Sequence, residues 1–265
     1  MTLVNTQCRL AARPVGLAKP TDWTFTEEEV PSPADGELLV RVEYLSIDPA
    51  MRTWMNAGRS YVPPVEIGEV MRAAGIARVI ESRHADFAVG DEVYGVFGIQ
   101  RYALSDGRGV TPVDTSLAPA PAHLGVLGIS GLTAYFGLLD IGRPEPGQTV
   151  VISGAAGSVG SVAGQIARIQ GCRAIGIAGG QEKCRWLVEE LGFDAAIDYK
   201  AGDLRTQLKH TLPTALMCSS TTSAAKRWRP RWQGSPVAVA SCCAAPYRST
   251  TPPPRGADRP TTCSC

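Results

Sequence analysis

Gly147 to Gly180 reads GQTVVISGAAGSVGSVAGQIARIQGCRAIGIAGG, and this stretch decides the architecture. The β-branched run Val150-Val151-Ile152 suits a parallel strand buried on both faces. Gly154, Gly157 and Gly160 follow three apart, where the strand gives way to a helix. Such a turn aims free backbone N–H groups and the positive end of a helix dipole at an anion. The helix is expected to run to about Gln170, with Ala163, Gly164 and Ala167 on its sheet-facing side. Gly171 ends it, and Ala174, Ile175 and Ile177 begin a second strand. Strand, glycine turn, helix and strand in this order predict a dinucleotide site in place of a plain βαβ unit.

The tip of the second strand bears on which dinucleotide. A carboxylate there would bind a ribose 2′-hydroxyl, but the residues are Gly179-Gly180-Gln181-Glu182-Lys183. Lys183 offers a cation for a 2′-phosphate, which favours NADP. The competing reading makes Lys183 a solvated helix lysine and Glu182 the ribose ligand.

A length of 265 residues allows two domains, and a formal net charge of +1 gives no global field for nucleic acid or an anionic membrane. No apolar run reaches the roughly 20 residues of a membrane span, and MTLVNTQCRLAARP lacks a signal peptide's apolar segment. A cytoplasmic enzyme is therefore expected. Of eight cysteines, Cys8, Cys172 and Cys184 are isolated and the other five crowd after residue 213. Their spacing matches neither a disulfide framework nor a zinc site, so no metal is expected.

Residues 1–122 carry short β-like runs broken by Gly, Pro and Asp. Examples are Glu37–Leu45, which alternates like a half-buried strand, Ile76–Ile80 and Glu92–Phe97. Spaced strands without helical periodicity predict a small barrel or sandwich.

Tyr44-Leu-Ser-Ile-Asp-Pro-Ala-Met-Arg52, Gly90-Asp-Glu-Val-Tyr-Gly95 and Gly131-Leu-Thr-Ala-Tyr-Phe-Gly137 occur in that order. Ala155-Ala-Gly-Ser-Val-Gly160, Glu182-Lys183 and Leu191-Gly-Phe-Asp-Ala-Ala-Ile-Asp-Tyr-Lys200 follow. Together these segments resemble the medium-chain dehydrogenase/reductase superfamily, over about Cys8 to Pro213. More narrowly, they resemble its zinc-free branch of prostaglandin reductases, leukotriene B4 dehydrogenases, plant double-bond reductases and bacterial curcumin-reductase-like enzymes.

The resemblance implies an α/β protein. A GroES-like β-barrel substrate domain at 1–122 would precede a Rossmann domain, a doubly wound parallel sheet, at 123–213, incomplete here. It implies hydride transfer from NADPH to the C=C bond of an α,β-unsaturated ketone or aldehyde. It also implies the site residues: pyrophosphate on Gly157, Ser158, Val159 and Gly160, the 2′-phosphate on Lys183 and Tyr199, and Thr133 near the nicotinamide. Tyr44 matches a tyrosine of the plant reductases that would polarise the substrate carbonyl, against the plainer reading of a packed strand tyrosine. Asp48-Pro49 and Arg52 are expected to fix a loop. The zinc-dependent relatives need a cysteine-rich first domain, whereas residues 1–122 contain one cysteine.

After Pro213 the composition changes. Residues 214–265 hold Asp258 as their one acidic residue against seven basic ones, and hydrophobic periodicity gives way to Pro252-Pro-Pro254, Cys242-Cys243 and runs of Ser and Thr. A doubly wound domain needs further βα units here. One reading is a basic disordered tail that binds nucleic acid or a membrane. The preferred reading is a frameshifted translation. Cys218 to Ala225, CSSTTSAA, can be encoded TGT TCT TCG ACA ACG TCG GCG GCG, which from the third base reads FFDNVGG, the next strand motif of the family. The same phase can turn Ala240–Thr250 into VVLCGAISQY and Asp258–Ser264 into PANYMFM. These codons are choices among synonyms, and the order and common phase of the segments carry the reading.

On that reading the sheet stops after about three strands. The burial lost is comparable with the roughly 5–15 kcal/mol that separates folded from unfolded domains. The polypeptide is then expected to be poorly stable and inactive. Relatives are often homodimers joined through the Rossmann sheet, and that surface lies largely in the part this chain lacks. A quinone reductase of the same fold, and a nucleotide- or RNA-binding protein that uses the basic tail, are the alternatives.

Overall fold

The computed structural model describes residues 3–58 and 62–211 and the backbone of 237–238. In the first half, β1 (Val4–Leu10) and β2 (Trp23–Glu29) form an antiparallel ribbon. β3 (Leu38–Leu45), β4 (Gly75–Ser82), β5 (Glu92–Gly95), β6 (Tyr102–Ser105) and β7 (Thr111–Pro112) form an antiparallel sheet in the order β6-β3-β4-β5-β7. Bridges Gln7–Gln100 and Arg9–Val70 join ribbon to sheet.

The alternation expected across Glu37–Leu45 holds only in part. Leu38, Leu39 and Val40 are all buried, because the register against β4 shifts between Leu39 and Val40. Leu38 and Val40 enter a core with Ala77, Val79, Phe87 and Val93, while Leu39 lines a cleft with Asn5, Gln7 and Tyr102. The buried amides close that cleft: Asn5 Nδ2 and Gln7 Nε2 each donate to Gln100 Oε1 at 3.0 Å, and Gln100 Nε2 donates to the Phe97 carbonyl at 2.6 Å. Partnered this way, the amides avoid the cost of unsatisfied burial.

The short helix α1 (Ala50–Trp54) starts where Asp48 Oδ1 accepts from the Ala50 N–H at 2.8 Å. Arg52 reaches back across the chain, its Nη2 donating to the carbonyls of Pro14 at 3.1 Å and Gly16 at 2.8 Å and its Nη1 to Asn56 Oδ1 at 2.7 Å. Arg52 thus holds the 14–16 loop, while Asp48 starts α1.

The second half is built on parallel strands β8 (Thr149–Ser153), β9 (Arg173–Ala178) and β10 (Ala195–Asp198), in the order β10-β9-β8. Val150 and Ile152 of β8 pack with Ala174 and Ala178 of β9 on one face, beneath Leu187, Phe193 and Ala167. Val151, Ile175 and Ile197 face the other side and meet Leu208. The near-continuous apolar runs are those of strands buried on both faces.

Two helices cover the first face, α3 (Ser158–Ile169) and α4 (Gln181–Glu189); α5 (Leu204–Thr211) carries Leu208 on the second. α3 buries Gly160, Ala163, Gly164 and Ala167, a stripe at helical spacing. Asp194 ties helix to strand, accepting from Arg168 Nη1 at 2.8 Å and from the Ala174 N–H at 2.7 Å. Ahead of β8 lie α2 (Ile129–Tyr135) and a π-helical turn, Phe136–Gly142, which supplies Leu138 to the core.

Three parallel strands are what the sequence leads one to expect. A two-residue strand, β11 (Val237–Ala238), adds to them, pairing parallel with Thr149 and Val150 inside the stretch expected to be irregular. The frameshift reading and the basic-tail reading otherwise fall on residues outside those described.

A Cβ at Gly164 would stand 1.9 Å from Phe193 Cζ, and Phe193 is itself buried. Gly164→Ala should therefore cost about 1–3 kcal/mol in denaturant unfolding, part of it recovered in the double variant with Phe193→Leu. An unchanged midpoint would mean that the helix does not sit this close to the sheet.

Candidate functional site

The carboxyl ends of β8, β9 and β10 lie side by side, the position at which open α/β sheets bind ligands. After β8 the chain turns through Gly154, at φ +62°, and the Gly157 N–H donates to the Gly154 carbonyl at 2.8 Å. The Ala155 N–H donates to Ile177 O at 3.1 Å and so pins the turn to the neighbouring strand. Gly157 is the N-cap of α3, and no side chain caps the helix. The first intrahelical bond runs from the Ser161 N–H to Gly157 O at 2.9 Å, which leaves the N–H groups of Ser158, Val159 and Gly160 available at the positive end of the dipole. The turn and the helix touch directly: a Cβ at Gly160 would lie 2.5 Å from Gly154 O and 2.8 Å from Ala155 Cα.

At the β9 tip the backbone is open, with Gly179 followed by Gly180 at φ +104°. Asp198, the last residue of β10, holds this tip. Its Oδ1 accepts from the Gly180 N–H at 2.8 Å and from the Lys200 N–H at 2.9 Å. These two bonds, Gly180 first, hold its carboxyl below the ordinary aspartate pKa. Tyr199 follows. Its N–H donates to Ala178 O at 3.1 Å, and its hydroxyl would meet a Cβ on Gly179 at 2.7 Å. The Tyr199 ring is 52% exposed beside a strand tip that carries no carboxylate of its own. Lys183 and Glu182 both line a groove along α4 that begins at Ala156 of the glycine turn, together with Arg185. The geometry therefore leaves both readings of that pair standing.

The structure brings Gly157, Ser158, Val159 and Gly160 into one turn, and sets Tyr199 and Lys183 at the neighbouring strand tip. α2 packs against α3, and Ser158 Oγ bonds to Ser130 Oγ at 2.7 Å, so Thr133 stands one turn along α2 from that junction. The Thr133 hydroxyl donates to its own helix, to Ile129 O at 2.6 Å. Tyr44 stands in the other sheet, opposite Ile76, 43% exposed, just after a register shift between Val42 and Tyr44. Among the described residues, no cluster of His, Cys, Asp and Glu has the arrangement of a metal site, and no helix is long and apolar enough to cross a membrane.

Sequence reasoning missed two residues, Asp198 and Ser130. Asp198 meets the Gly179-Gly180 turn across 18 positions, so its role has no local signal. The partnership of Ser130 with Ser158 spans 28 positions and leaves none.

Comparison with known proteins agrees with this geometry. Residues 6–113 match the family model described as the N-terminal domain of oxidoreductase. Over 212 residues, 80% of this chain and 61% of the relative, the chain is 44% identical to the NADPH-dependent curcumin reductase of Escherichia coli. It is 38% identical to prostaglandin reductase 1 of Bos taurus over 77% of this chain and 61% of the relative. The solved structure of CurA from Vibrio vulnificus in complex with NADPH aligns with a TM-score of 0.75 and 45% identity, over 80% of this chain and 63% of that one.

In fold, site geometry and sequence the described residues are similar to proteins of the medium-chain dehydrogenase/reductase superfamily. Within it they are similar to the branch that holds the curcumin and prostaglandin reductases. The chain spans about three fifths of the length of these relatives.

The Asp198 bonds give a pH test. Because the folded carboxyl has a depressed pKa, its contribution to stability is present above the unfolded value near 4 and is lost as pH falls through the depressed value. The stability difference between the parent chain and Asp198→Ala should be constant above about pH 5 and shrink below about pH 4. A difference that ignores pH would assign the loss to packing.

Proposed function

We propose that residues 3–211 are the substrate-side domain and the first half of the cofactor domain of an NADPH-dependent reductase. The reaction would reduce the C=C bond of an α,β-unsaturated ketone or aldehyde. The observation that carries this reading is the pairing of an uncapped glycine turn with a β9 tip whose open Gly179-Gly180 backbone is flanked by Tyr199 and Lys183. These residues fit the cofactor. Gly160 keeps the backbone of the turn near the helix end, where a side chain would obstruct it, and Gly179 leaves room beside Tyr199.

The N–H groups of Ser158, Val159 and Gly160, capped by no side chain, would hold the pyrophosphate, with Gly157 shaping the turn. Lys183 and the Tyr199 hydroxyl would hold the 2′-phosphate, a charge-assisted contact on a tip that Asp198 fixes. Bound NADPH would supply the hydride. Thr133, near the nicotinamide end, has its proton committed to Ile129 O, so it would offer oxygen lone pairs and its methyl group. Tyr44 would donate a hydrogen bond to the substrate carbonyl, where enolate charge develops. Its exposure and its place after a bulge, a device that re-aims side chains, support that role. The substrate is a small molecule; the homodimer of the relatives would need surface beyond residue 213.

The same reading explains the tail. Similarity to relatives covers four fifths of the chain and three fifths of theirs, as a shift of frame near Pro213 would produce. An apolar surface is also left open among the described residues: Ile129 and Ile141 are each 63% exposed, and Leu132 and Phe136 about half. A missing second half of the sheet would account for that.

The test is NADPH oxidation with an enone, in this chain and in one whose frame is restored at codons 212–215. Activity is expected in the restored protein and should be absent or below about one hundredth of it here. Ordinary activity in the chain as written would refute the impairment. An unbroken frame in independently obtained nucleotide sequence would refute the shift. In the restored protein, Lys183→Ala should raise the KM for NADPH about tenfold or more and change that for NADH little. Equal effects on both would leave Lys183 as a solvated helix residue.

A further inference from the structure

The bond between Ser158 and Ser130 has no part in the site as drawn so far. Ser158 is the first residue of α3, in the turn that presents the free N–H groups, and its hydroxyl donates to Ser130 Oγ at 2.7 Å. Ser130 lies in the first turn of α2, half-buried, where the chain is held tightly. A Cβ at the adjoining Gly131 would fall 1.7 Å from the Val126 carbonyl oxygen, so Ser130 sits on backbone with little freedom to shift. A serine hydroxyl accepts and donates at once. With its oxygen engaged by Ser158, Ser130 keeps its own proton for a further acceptor.

We propose that Ser130 is a positioning residue of the dinucleotide cradle, tying the start of α2 to the first turn of α3 through Ser158. The inference rests on the dinucleotide reading and adds to it a residue from outside the glycine motif. The tie has two consequences. It fixes the rotamer of Ser158, so that its N–H and hydroxyl are ordered before an anion arrives, which reduces the ordering cost of binding. It also couples α2, which carries Thr133 one turn on, to the helix that receives the pyrophosphate. Disturbance at Ser130 should therefore be felt at the phosphates and not at the 2′-phosphate end, where Asp198 independently holds the β9 tip.

The experiment measures dissociation constants by NADPH fluorescence, and by competition with adenosine 2′-monophosphate, which carries the 2′-phosphate and lacks the pyrophosphate. The proteins are the full chain and its Ser130→Ala, Ser158→Ala, doubly substituted and Ser130→Thr variants. Ser130→Ala should weaken NADPH about 3- to 10-fold and leave adenosine 2′-monophosphate unchanged. The double variant should be no weaker than the weaker single one, and Ser130→Thr, which keeps the hydroxyl, should bind as the parent does.

Unchanged NADPH binding in Ser130→Ala, losses that multiply in the double variant, or equal losses for both ligands would each overturn the proposal. The last outcome would make Ser130 merely structural. A parent that binds neither ligand, both as written and with its frame restored at codons 212–215, would overturn the dinucleotide reading and this inference with it. A parent that binds both while Ser130→Ala changes nothing removes the inference alone.

Discussion

The closeness of α3 to the sheet is the constraint on which the second half of the molecule depends. The helix meets the glycine turn at Gly160 and the Phe193 ring at Gly164, with no room for a methyl group at either. From β9, Gly176 faces the same layer, where a Cβ would come within 2.9 Å of Ala155. Interiors packed to crystal-like density allow such a seam only if the residues are small on both sides. Once the seam exists, the end of the helix lies against the turn, and its N–H groups point past the strand tips. Core packing and the proposed anion site thus share the same residues here.

The first half achieves order by different means. Its sheet is antiparallel, with Leu38, Val40, Val79 and Phe97 in one core and Leu10, Met51 and Met71 in another. The ribbon β1–β2 is fastened across it by the amides of Asn5, Gln7 and Gln100. Arg52 fastens a loop in the same manner, giving most of its donors to backbone carbonyls. Residues that look reactive in a sequence, an arginine next to an Asp-Pro pair among them, are here consumed by tying irregular backbone down. Tyr44 differs because its hydroxyl is not spent in this way within the sheet.

Much of the second half was legible because strand and helix periodicities are local. Val150–Ile152, the glycine spacing and the small-residue stripe of α3 gave β8, the turn and α3 nearly to the residue. The first half was legible as spaced strands, but not in register. The shifts in β3 that bury Leu38, Leu39 and Val40 together depend on what β4 and the ribbon offer from far along the chain. In the site, the glycines 154, 157 and 160 could be read from spacing, and Lys183 from its place after the second strand. The pyrophosphate role of residues 157–160, and the roles of Tyr199, Thr133 and Tyr44, rested on resemblance to relatives. Asp198 and Ser130 act through partners 18 and 28 positions away, and no local pattern encodes such a pairing.

The apolar side chains left outward on α2 and the π-helical turn bear on how this polypeptide is made. Synthesis runs from the N-terminus, and domains form as their segments leave the ribosome. By the time residue 198 has emerged, β8, β9 and β10 are all available, and the cradle at their ends can close before the residues beyond 211 have left the ribosome. Ile129, Leu132 and Phe136 then wait in water for residues still to come. The nascent chain has then committed its early half with an apolar surface still in water, which makes it a client for chaperones and proteases until that surface is covered.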